Sequence, residues 1–312
     1  MNSPRLSIII PFYNVEAYIG QCLDSVYKQD IPEEQYEVIC VDDCSPDRSI
    51  SIVEKFANKH TNLVIVRNQI NRKLGGARNA GLEIAQGKYI WFIDSDDLIE
   101  ENVLGTLCQA AEADDLDVLH FDYENYPVKS PLFQIPFNEA MNGPDMFFDT
   151  RLRWAHELVT AWRKLYKRSF LIENNISFAE HIMFEDNDYA ILVFAYAKRV
   201  KHIHMHAYNY RQNPDSITRM GISSKHISYW LDLCHRLVAV KKRFMDDGRD
   251  ARFQPVLEQF IKYQLSYVKM QYEKLDKNEK KKARKEIIRQ TDISLRPFLS
   301  RKSYLMIKLG LI

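Results

Sequence analysis

No glycine stands in the turn after the first predicted strand, Pro11-Phe12-Tyr13-Asn14, and the 312-residue chain holds only ten glycines in all. A dinucleotide-binding G-x-G-x-x-G is therefore missing from its usual place, and no G-x-x-x-x-G-K-[ST] loop occurs anywhere, which excludes P-loop chemistry. Cysteine is sparse: five residues, an odd count with no C-x-x-C pair. That argues for reduced thiols in a cytoplasmic setting and against a disulfide framework. No apolar run approaches the roughly 18 residues of a membrane span. Met1-Asn2-Ser3-Pro4-Arg5 leads at once into a strand, so no signal peptide is expected. Net charge is only +1, and no nucleic-acid-binding motif or basic–aromatic surface is found.

What is present is a repeated alternation of strand and helix. Leu6-Ser7-Ile8-Ile9-Ile10-Pro11-Phe12-Tyr13 reads as a strand, and Asn14 is placed to cap a helix starting at Val15, with Ile19, Cys22, Leu23, Val26 and Tyr27 at helical spacing. Tyr36 to Val41 reads as a second strand, ending in Asp42-Asp43-Cys44-Ser45. Ser45-Pro46 then signals a helix start, continued by Ile50, Val53, Phe56 and Ala57. Leu63-Val64-Ile65-Val66 gives a third strand, followed by a helix through Arg78, Leu82 and Ala85. Such alternation predicts an α/β fold with a parallel sheet, whose ligands bind beyond the carboxyl ends of the strands. Tyr13, Asp43 and an acidic cluster after the fourth strand all stand at such ends.

That fourth strand is Tyr89-Ile90-Trp91-Phe92-Ile93, running straight into Asp94-Ser95-Asp96-Asp97. Crowded carboxylates raise one another's pKa unless a cation sits among them, and hard ions such as Mg2+ or Mn2+ are held by carboxylates, water and substrate phosphates. The plainer reading is an acidic loop capping the next helix. The Tyr13 ring is suited to stacking on a base and Asp43 to accepting a hydrogen bond from one. A diphosphate held without a glycine-rich loop then requires a cation at Asp94/Asp96, with Arg78 adding charge.

The segments Ile10-Pro11-Phe12-Tyr13-Asn14, Val41-Asp42-Asp43-Cys44-Ser45-Pro46-Asp47, Gly75-Gly76-Ala77-Arg78-Asn79-Ala80-Gly81 and Phe92-Ile93-Asp94-Ser95-Asp96-Asp97 resemble, in order and spacing, those of family 2 glycosyltransferases. The resemblance covers about the first 100 residues. It implies the GT-A fold, a Rossmann-like, mostly parallel sheet flanked by helices, and an inverting, nucleotide-sugar-dependent activity. By the same resemblance Tyr13 and Asp43 contact uracil, Arg78 lies by the nucleotide, and Asp94 and Asp96 bind the metal and ribose. Pro11 and Ser95, inside these motifs, complete the expected donor-binding set. Cys44 departs from the glycine usual in the family. The general base of such transfer is a carboxylate from an E-D motif roughly 90 residues after the D-x-D, here Met183-Phe184-Glu185-Asp186-Asn187-Asp188. It maps the base onto Asp186 with Glu185 as its neighbour. Asp188 competes for the assignment, and first-turn helix acids give the structural alternative.

Ala161-Trp162-Arg163-Lys164-Leu165-Tyr166 is similar to the family's W-x-K-L-Y segment, and Tyr208-Asn209-Tyr210-Arg211 with Ser216-Ile217-Thr218 to its Y-x-Y-R…S-I-T segment. Arg211 is expected over the diphosphate as the leaving group departs; a packed Trp/Tyr pair is the structural alternative. His202, His204 and His206 alternate, so a strand presents all three on one face, with Ile203 and Met205 opposite. That looks like a zinc-type arrangement but more commonly marks a half-exposed sheet edge.

Residues 269–312 carry 13 Lys/Arg against 5 Asp/Glu, leaving about −7 for the rest of the chain. The region from Lys225 reads as helical through Trp230, Leu233, Leu237 and Val240, then through Phe260, Tyr263, Tyr267 and Met270 on one face. Lys280-Lys281-Lys282 and Arg284-Lys285 form a basic stripe ahead of the apolar Tyr304-Leu305-Met306-Ile307. Such an end suits peripheral contact with an anionic membrane face, although a solvated helix face is commoner.

The expected organisation is a GT-A domain over 1–220, with a nucleotide-binding half (1–100) and an acceptor half (101–220), followed by a helical region over 221–312. The expected activity is a metal-dependent transfer, using Mn2+ or Mg2+, from a UDP-sugar to a glycan or lipid-linked oligosaccharide hydroxyl. The resemblance implies bacterial surface-glycan synthesis in the cytoplasm, at the inner face of the membrane. A nucleotidyltransferase and an inactive sugar-nucleotide sensor or scaffold are the alternatives. The first lacks its usual glycine-rich turn, and intact Asp94, Asp96, Glu185 and Asp186 speak against the second.

Overall fold

Seven consecutive residues, Leu6–Phe12 (β1), are buried on both faces of the sheet, as the unbroken apolar run predicts. The computed structural model describes residues 3–129, 135, 138–149, 158–212, 222–291 and 294–308. Further strands are Tyr36–Asp42 (β2), Leu63–Arg67 (β3), Tyr89–Phe92 (β4), Leu98–Ile99 (β5), Val118–Tyr126 (β6), Lys164–Lys167 (β7) and Val200–Arg211 (β8). They form one sheet in the order β3-β2-β1-β4-β7-β6-β8-β5. β1 to β4 pair in parallel, β7 runs antiparallel between β4 and β6, β8 lies parallel to β6, and β5 closes the edge antiparallel. This mixed, mostly parallel α/β sheet is the expected fold class.

Pro11 sits inside this sheet without breaking it. Pairing with β4 stops at Ile9↔Phe92, while pairing with β2 continues to Phe12↔Asp42. Ile9 points its carbonyl at β4, accepting from Ile93 N at 2.9 Å. Pro11, two residues on, faces the same side beyond the last β4 pairing, where no donor is needed. Trp91 anchors the core wholly buried, its ring edge-on to Phe121 at 5.1 Å and its Nε1 donating to Trp162 O at 2.7 Å. Full burial of one such side chain contributes about 1.5–3 kcal/mol.

Two helix starts differ from expectation. The first helix is Ile19–Val26, not one beginning at Val15, and Asn14 has φ 55°. The backbone amides of Asn14, Val15 and Glu16 donate instead to Ser45 Oγ, Ser49 Oγ and Asp47 Oδ2. The segment after β1 is thus spent on tying itself to the segment after β2. The second helix accordingly begins at Ser49, with Asp47 Oδ1 accepting from Ser49 N at 3.1 Å.

By compactness the chain divides into Met1–Pro214 and Asp215–Ile312. The expected boundary at 220/221 and the Ser216-Ile217-Thr218 segment lie outside the described residues. In the second unit, helices span Ser224–Asp246, Phe253–Lys274, Lys277–Gln290 and Arg301–Lys308. Trp230, Leu233, Leu237 and Val240 are buried as their spacing predicts. The row Phe260, Tyr263, Tyr267, Met270 is not the inward one: Tyr263 is 61% and Met270 43% exposed. The helix buries the row one residue later, Ile261, Gln264, Val268 and Gln271, continuous with Leu257. Ile261 and Val268 share the interior with Gln264 and Gln271, while Tyr263 stays exposed.

Candidate active site

The carboxyl ends of β1, β2 and β4 carry the residues singled out by the sequence. Tyr13, just past β1, is 49% exposed, its ring open to a planar ligand. Asp43, after β2, is 3% exposed. Its Oδ1 accepts from Asn68 Nδ2 and from Arg72 N, both at 2.8 Å. Asn71 Nδ2 donates to its backbone carbonyl at 2.9 Å. The turn after β3 therefore holds Asp43 in place.

Arg78 lies on the helix Lys73–Ile84, which packs its glycines and alanines inward. Arg78 is 2% exposed, and its guanidinium joins two acids that are far apart in the chain. Nη2 donates to Asp94 Oδ1 at 2.7 Å and Nη1 to Glu185 Oε1 at 2.9 Å. Burial works against its charge, but Asp94 and Glu185 outweigh that and hold its pKa above the ordinary value. Gly75 makes the approach possible, because a Cβ there would stand 2.2 Å from Ala179 O and 3.1 Å from Glu185 Cβ. Around it, Asn79 Nδ2 donates to Phe178 O at 2.9 Å, and Arg72 pairs with Glu180 at 2.6 Å. The segment carrying Glu185 is thus strapped to the same helix as Arg78.

Glu185 opens the helix Glu185–Tyr196, with Asp186 and Asp188 in its first turn. The structural reading of helix-start acids holds here as well. Asp186 accepts from Asn187 Nδ2 at 3.1 Å. Burial, then the Glu185 carboxylate, push the Asp186 carboxyl up to about 7, against the pull of Arg78. Lys164 was not singled out in advance and belongs to this neighbourhood. It is 1% exposed and donates to Thr160 O at 2.5 Å. Burial, then Arg163, drive its pKa well down, with Asp186 opposing. Its signal was its place in the W-x-K-L-Y-like segment.

The three acids after β4 part company. Asp94 and Asp96 remain partly exposed, while Ser95 and Asp97 are buried. Asp97 accepts from Tyr208 Oη at 2.6 Å and from Arg211 N at 2.7 Å. Burial, then Asp94 and Asp96, raise its pKa well above the carboxylate range. It braces the turn from behind. Arg211 donates through Nε to Asp96 O and through Nη2 to Gln21 Oε1, both at 2.7 Å. Its guanidinium lies over the rings of Tyr18 and Tyr126 at 5.3 and 5.1 Å. Trp162 stacks on Tyr208 at 4.4 Å and on Tyr210 at 5.6 Å, which is the packed Trp/Tyr arrangement of the structural alternative. Two partly exposed carboxylates beside a cationic side chain are a donor set suited to Mg2+ or Mn2+.

The three alternating histidines do not share one face. His202 is wholly buried, with Nδ1 2.9 Å from His120 Nδ1. His206 turns elsewhere, Nδ1 3.3 Å from Glu100 and Nε2 3.1 Å from Asn209 Oδ1. An irregular β6–β8 register separates them, which a strict two-residue period does not anticipate.

A family model described as "Glycosyl transferase family 2" matches residues 7–175. Over 224 residues the chain is 34% identical to EpsJ of Bacillus subtilis, an uncharacterised glycosyltransferase, covering 70% of this chain and 64% of that protein. It is 32% identical over 210 residues to TarS of Staphylococcus aureus, a poly(ribitol-phosphate) beta-N-acetylglucosaminyltransferase, covering 66% of this chain and 35% of TarS. The chain thus matches less than two thirds of the length of these relatives. In fold, it is similar to residues 1–349 of S. aureus TarS solved in complex with UDP-GlcNAc, with TM-score 0.69 at 22% identity, covering 98% and 87% of the two chains. The mannosyltransferase PcManGT of Pyrobaculum calidifontis, solved with GDP-Man and Mn2+, gives TM-score 0.55 at 18% identity, with 98% and 86% covered.

Proposed function

The chain belongs to glycosyltransferase family 2, and on that premise we propose that it moves a hexose or N-acetylhexosamine from a UDP-sugar to a hydroxyl of a glycan or lipid-linked oligosaccharide. The observation that carries this reading is Arg78, which joins Asp94 after β4 to Glu185 beside Asp186, 107 positions after Arg78 itself. Donor-side and acceptor-side acids then share one charged cluster, as single displacement at an anomeric carbon requires.

In this reading Tyr13 stacks on uracil and Asp43 accepts a hydrogen bond from it, with Pro11 and Ser95 shaping the turns on either side. Asp94 and Asp96 would hold Mn2+ or Mg2+, which supplies charge neutralisation for the diphosphate. Arg78 and Arg211 add fixed positive charge where the leaving group gains its negative charge. Asp186 takes the proton of the acceptor hydroxyl while that oxygen bonds to the anomeric carbon and the bond to UDP breaks, with inversion. A carboxyl near 7 suits a base working at neutral pH. Glu185, held by Arg78, orients it.

The setting proposed is surface-glycan assembly at the cytoplasmic membrane face. It draws support from relatives named as a poly(ribitol-phosphate) beta-N-acetylglucosaminyltransferase and a minor teichoic acid biosynthesis protein. No helix among the described residues is long and apolar enough to cross a membrane, so contact there is proposed to be peripheral, through the helix Lys277–Gln290. The reading is tested by thermal shift with UDP-glucose, UDP-galactose, their N-acetyl forms and GDP-mannose, with and without Mn2+. A UDP-sugar should stabilise most, and only with the metal; stronger stabilisation by the GDP-sugar would overturn the uracil assignment of Tyr13 and Asp43.

A further inference from the structure

β8 does not run flat beside β6. Phe121 pairs with Ile203, but Asp122 pairs next with His206, so His204 and Met205 have no opposite number. An irregularity of this kind re-aims the side chains it carries. Here it turns His204 onto the carboxylate that His202 already faces. His202 Nε2 is 3.3 Å from Asp122 Oδ1 and His204 Nδ1 is 3.5 Å from Asp122 Oδ2. The two rings are nearly perpendicular, at 79°, with centroids 4.9 Å apart. One ligand atom from each of the three residues lies within 4.8 Å of the others. Two ligands about 2.0–2.1 Å from a tetrahedral zinc ion stand about 3.3–3.4 Å apart, close to both carboxylate–imidazole separations.

His202 adds an independent sign. Its buried Nε2 faces the Asp122 carboxylate at 3.3 Å and has no well-aligned hydrogen-bond partner. Its other nitrogen shares a single proton with His120 Nδ1 across 2.9 Å. With that proton on His202, the Nε2 lone pair faces the carboxylate and is available to a cation; with it on His120, Nε2–H faces the carboxylate instead. A hydrogen bond on the far ring nitrogen is how metal-binding imidazoles are oriented. Burial lowers the His202 pKa despite Asp122. Burial raises that of Asp122, but His202 and Arg163 outweigh it and the net shift is downward. Neutral imidazole and ionised carboxylate are the forms that bind metal. Arg163 Nη2, 3.2 Å from Asp122 Oδ1, is the opposing charge. Its guanidinium is also tied through Nε to Phe121 O at 2.6 Å, and Oδ2 is the oxygen turned to His204.

We propose that Asp122, His202 and His204 form a binding site for a zinc-type transition-metal ion, built from residues other than Asp94 and Asp96, which clamps the irregular part of β8 to β6. Mixed imidazole and carboxylate ligands favour such an ion over Mg2+. The full chain carrying Asp94→Asn, which removes the competing carboxylate site, is stripped with a chelator and titrated with Zn2+ by calorimetry and with Co2+ by absorption. One equivalent of Zn2+ should bind, and Co2+ should give a tetrahedral-type spectrum. Adding His204→Ala, or His204→Gln as a second variant at this 43% exposed side chain, should weaken Zn2+ at least tenfold. Equal Zn2+ affinity with and without His204, or no Zn2+ uptake in the Asp94→Asn chain, overturns the proposal. The readout is metal uptake, so it stands or falls independently of sugar transfer.

Discussion

Arg78 is a charge buried between two acids, and its removal leaves both without their shared partner. Breaking a buried ion pair from one side costs about 3–5 kcal/mol, so Arg78→Met should lose stability of that order in urea denaturation; a loss under about 1 kcal/mol would show that the bridge to Asp94 and Glu185 is not holding them. Asp186 makes a second prediction. Its carboxyl is pushed up to about 7 by burial and Glu185, so below that pH it is protonated and cannot accept a proton. kcat/KM should therefore rise as pH increases through about 7, the value for the free enzyme. A profile flat from pH 5.5 to 8.5 would remove Asp186 from the proton path. The same raised pKa favours the protonated folded state, so its stabilising effect is present at low pH and lost as pH rises through about 7. At this scale, residues carried by motifs were legible in the sequence. Asp122 was not, because it meets His202 and His204 only through an irregular pairing across two strands. The stabilising role of Asp97 was also hidden, since three neighbouring acids look alike until two stay exposed and one turns inward onto Tyr208 and Arg211.

Among elements, the contact between the helix Lys73–Ile84 and the start of the helix Glu185–Tyr196 sets the site's geometry. Gly75 stands at that contact, and a methyl group would meet the backbone oxygen of Ala179 at 2.2 Å. Gly75→Ala should push the Glu185 segment outward and cut turnover at least tenfold, with a smaller loss in melting temperature; unchanged turnover would show that the approach is not needed. β1, β2 and β4 were readable because buried parallel strands leave long apolar runs, and the edge strand β3 keeps such a run although Val64 is exposed. The first helix was misjudged by four residues because Asn14 looks like a cap. Its φ of 55° and the bonds from its own amide and the next two to Ser45, Ser49 and Asp47 follow from a loop–loop contact that no local signal announces. The helix Phe253–Lys274 carries two rows of apolar or amphipathic residues one position apart. Apolar periodicity points to the row that stays largely exposed, because the buried row Ile261, Gln264, Val268, Gln271 is half glutamine.

At the scale of the whole molecule, charge is segregated, with +8 over 269–312 against about −7 elsewhere. Lys281, Lys282, Arg284 and Lys285 are exposed on one helix, and each basic residue near an anionic surface contributes about 1 kcal/mol. The chain should co-sediment with phosphatidylserine-containing vesicles at low salt and be released at high salt, and Lys281→Gln with Lys285→Gln should weaken that binding; unchanged binding would remove this helix as the contact. The central claim remains that acids from distant parts of the chain serve one displacement at a sugar carbon. The most direct test is turnover of a UDP-sugar by Asp186→Asn with donor affinity measured on the same protein. The account predicts turnover lowered by about 10²–10⁴ with donor affinity unchanged, whereas near-normal turnover in that variant would contradict it.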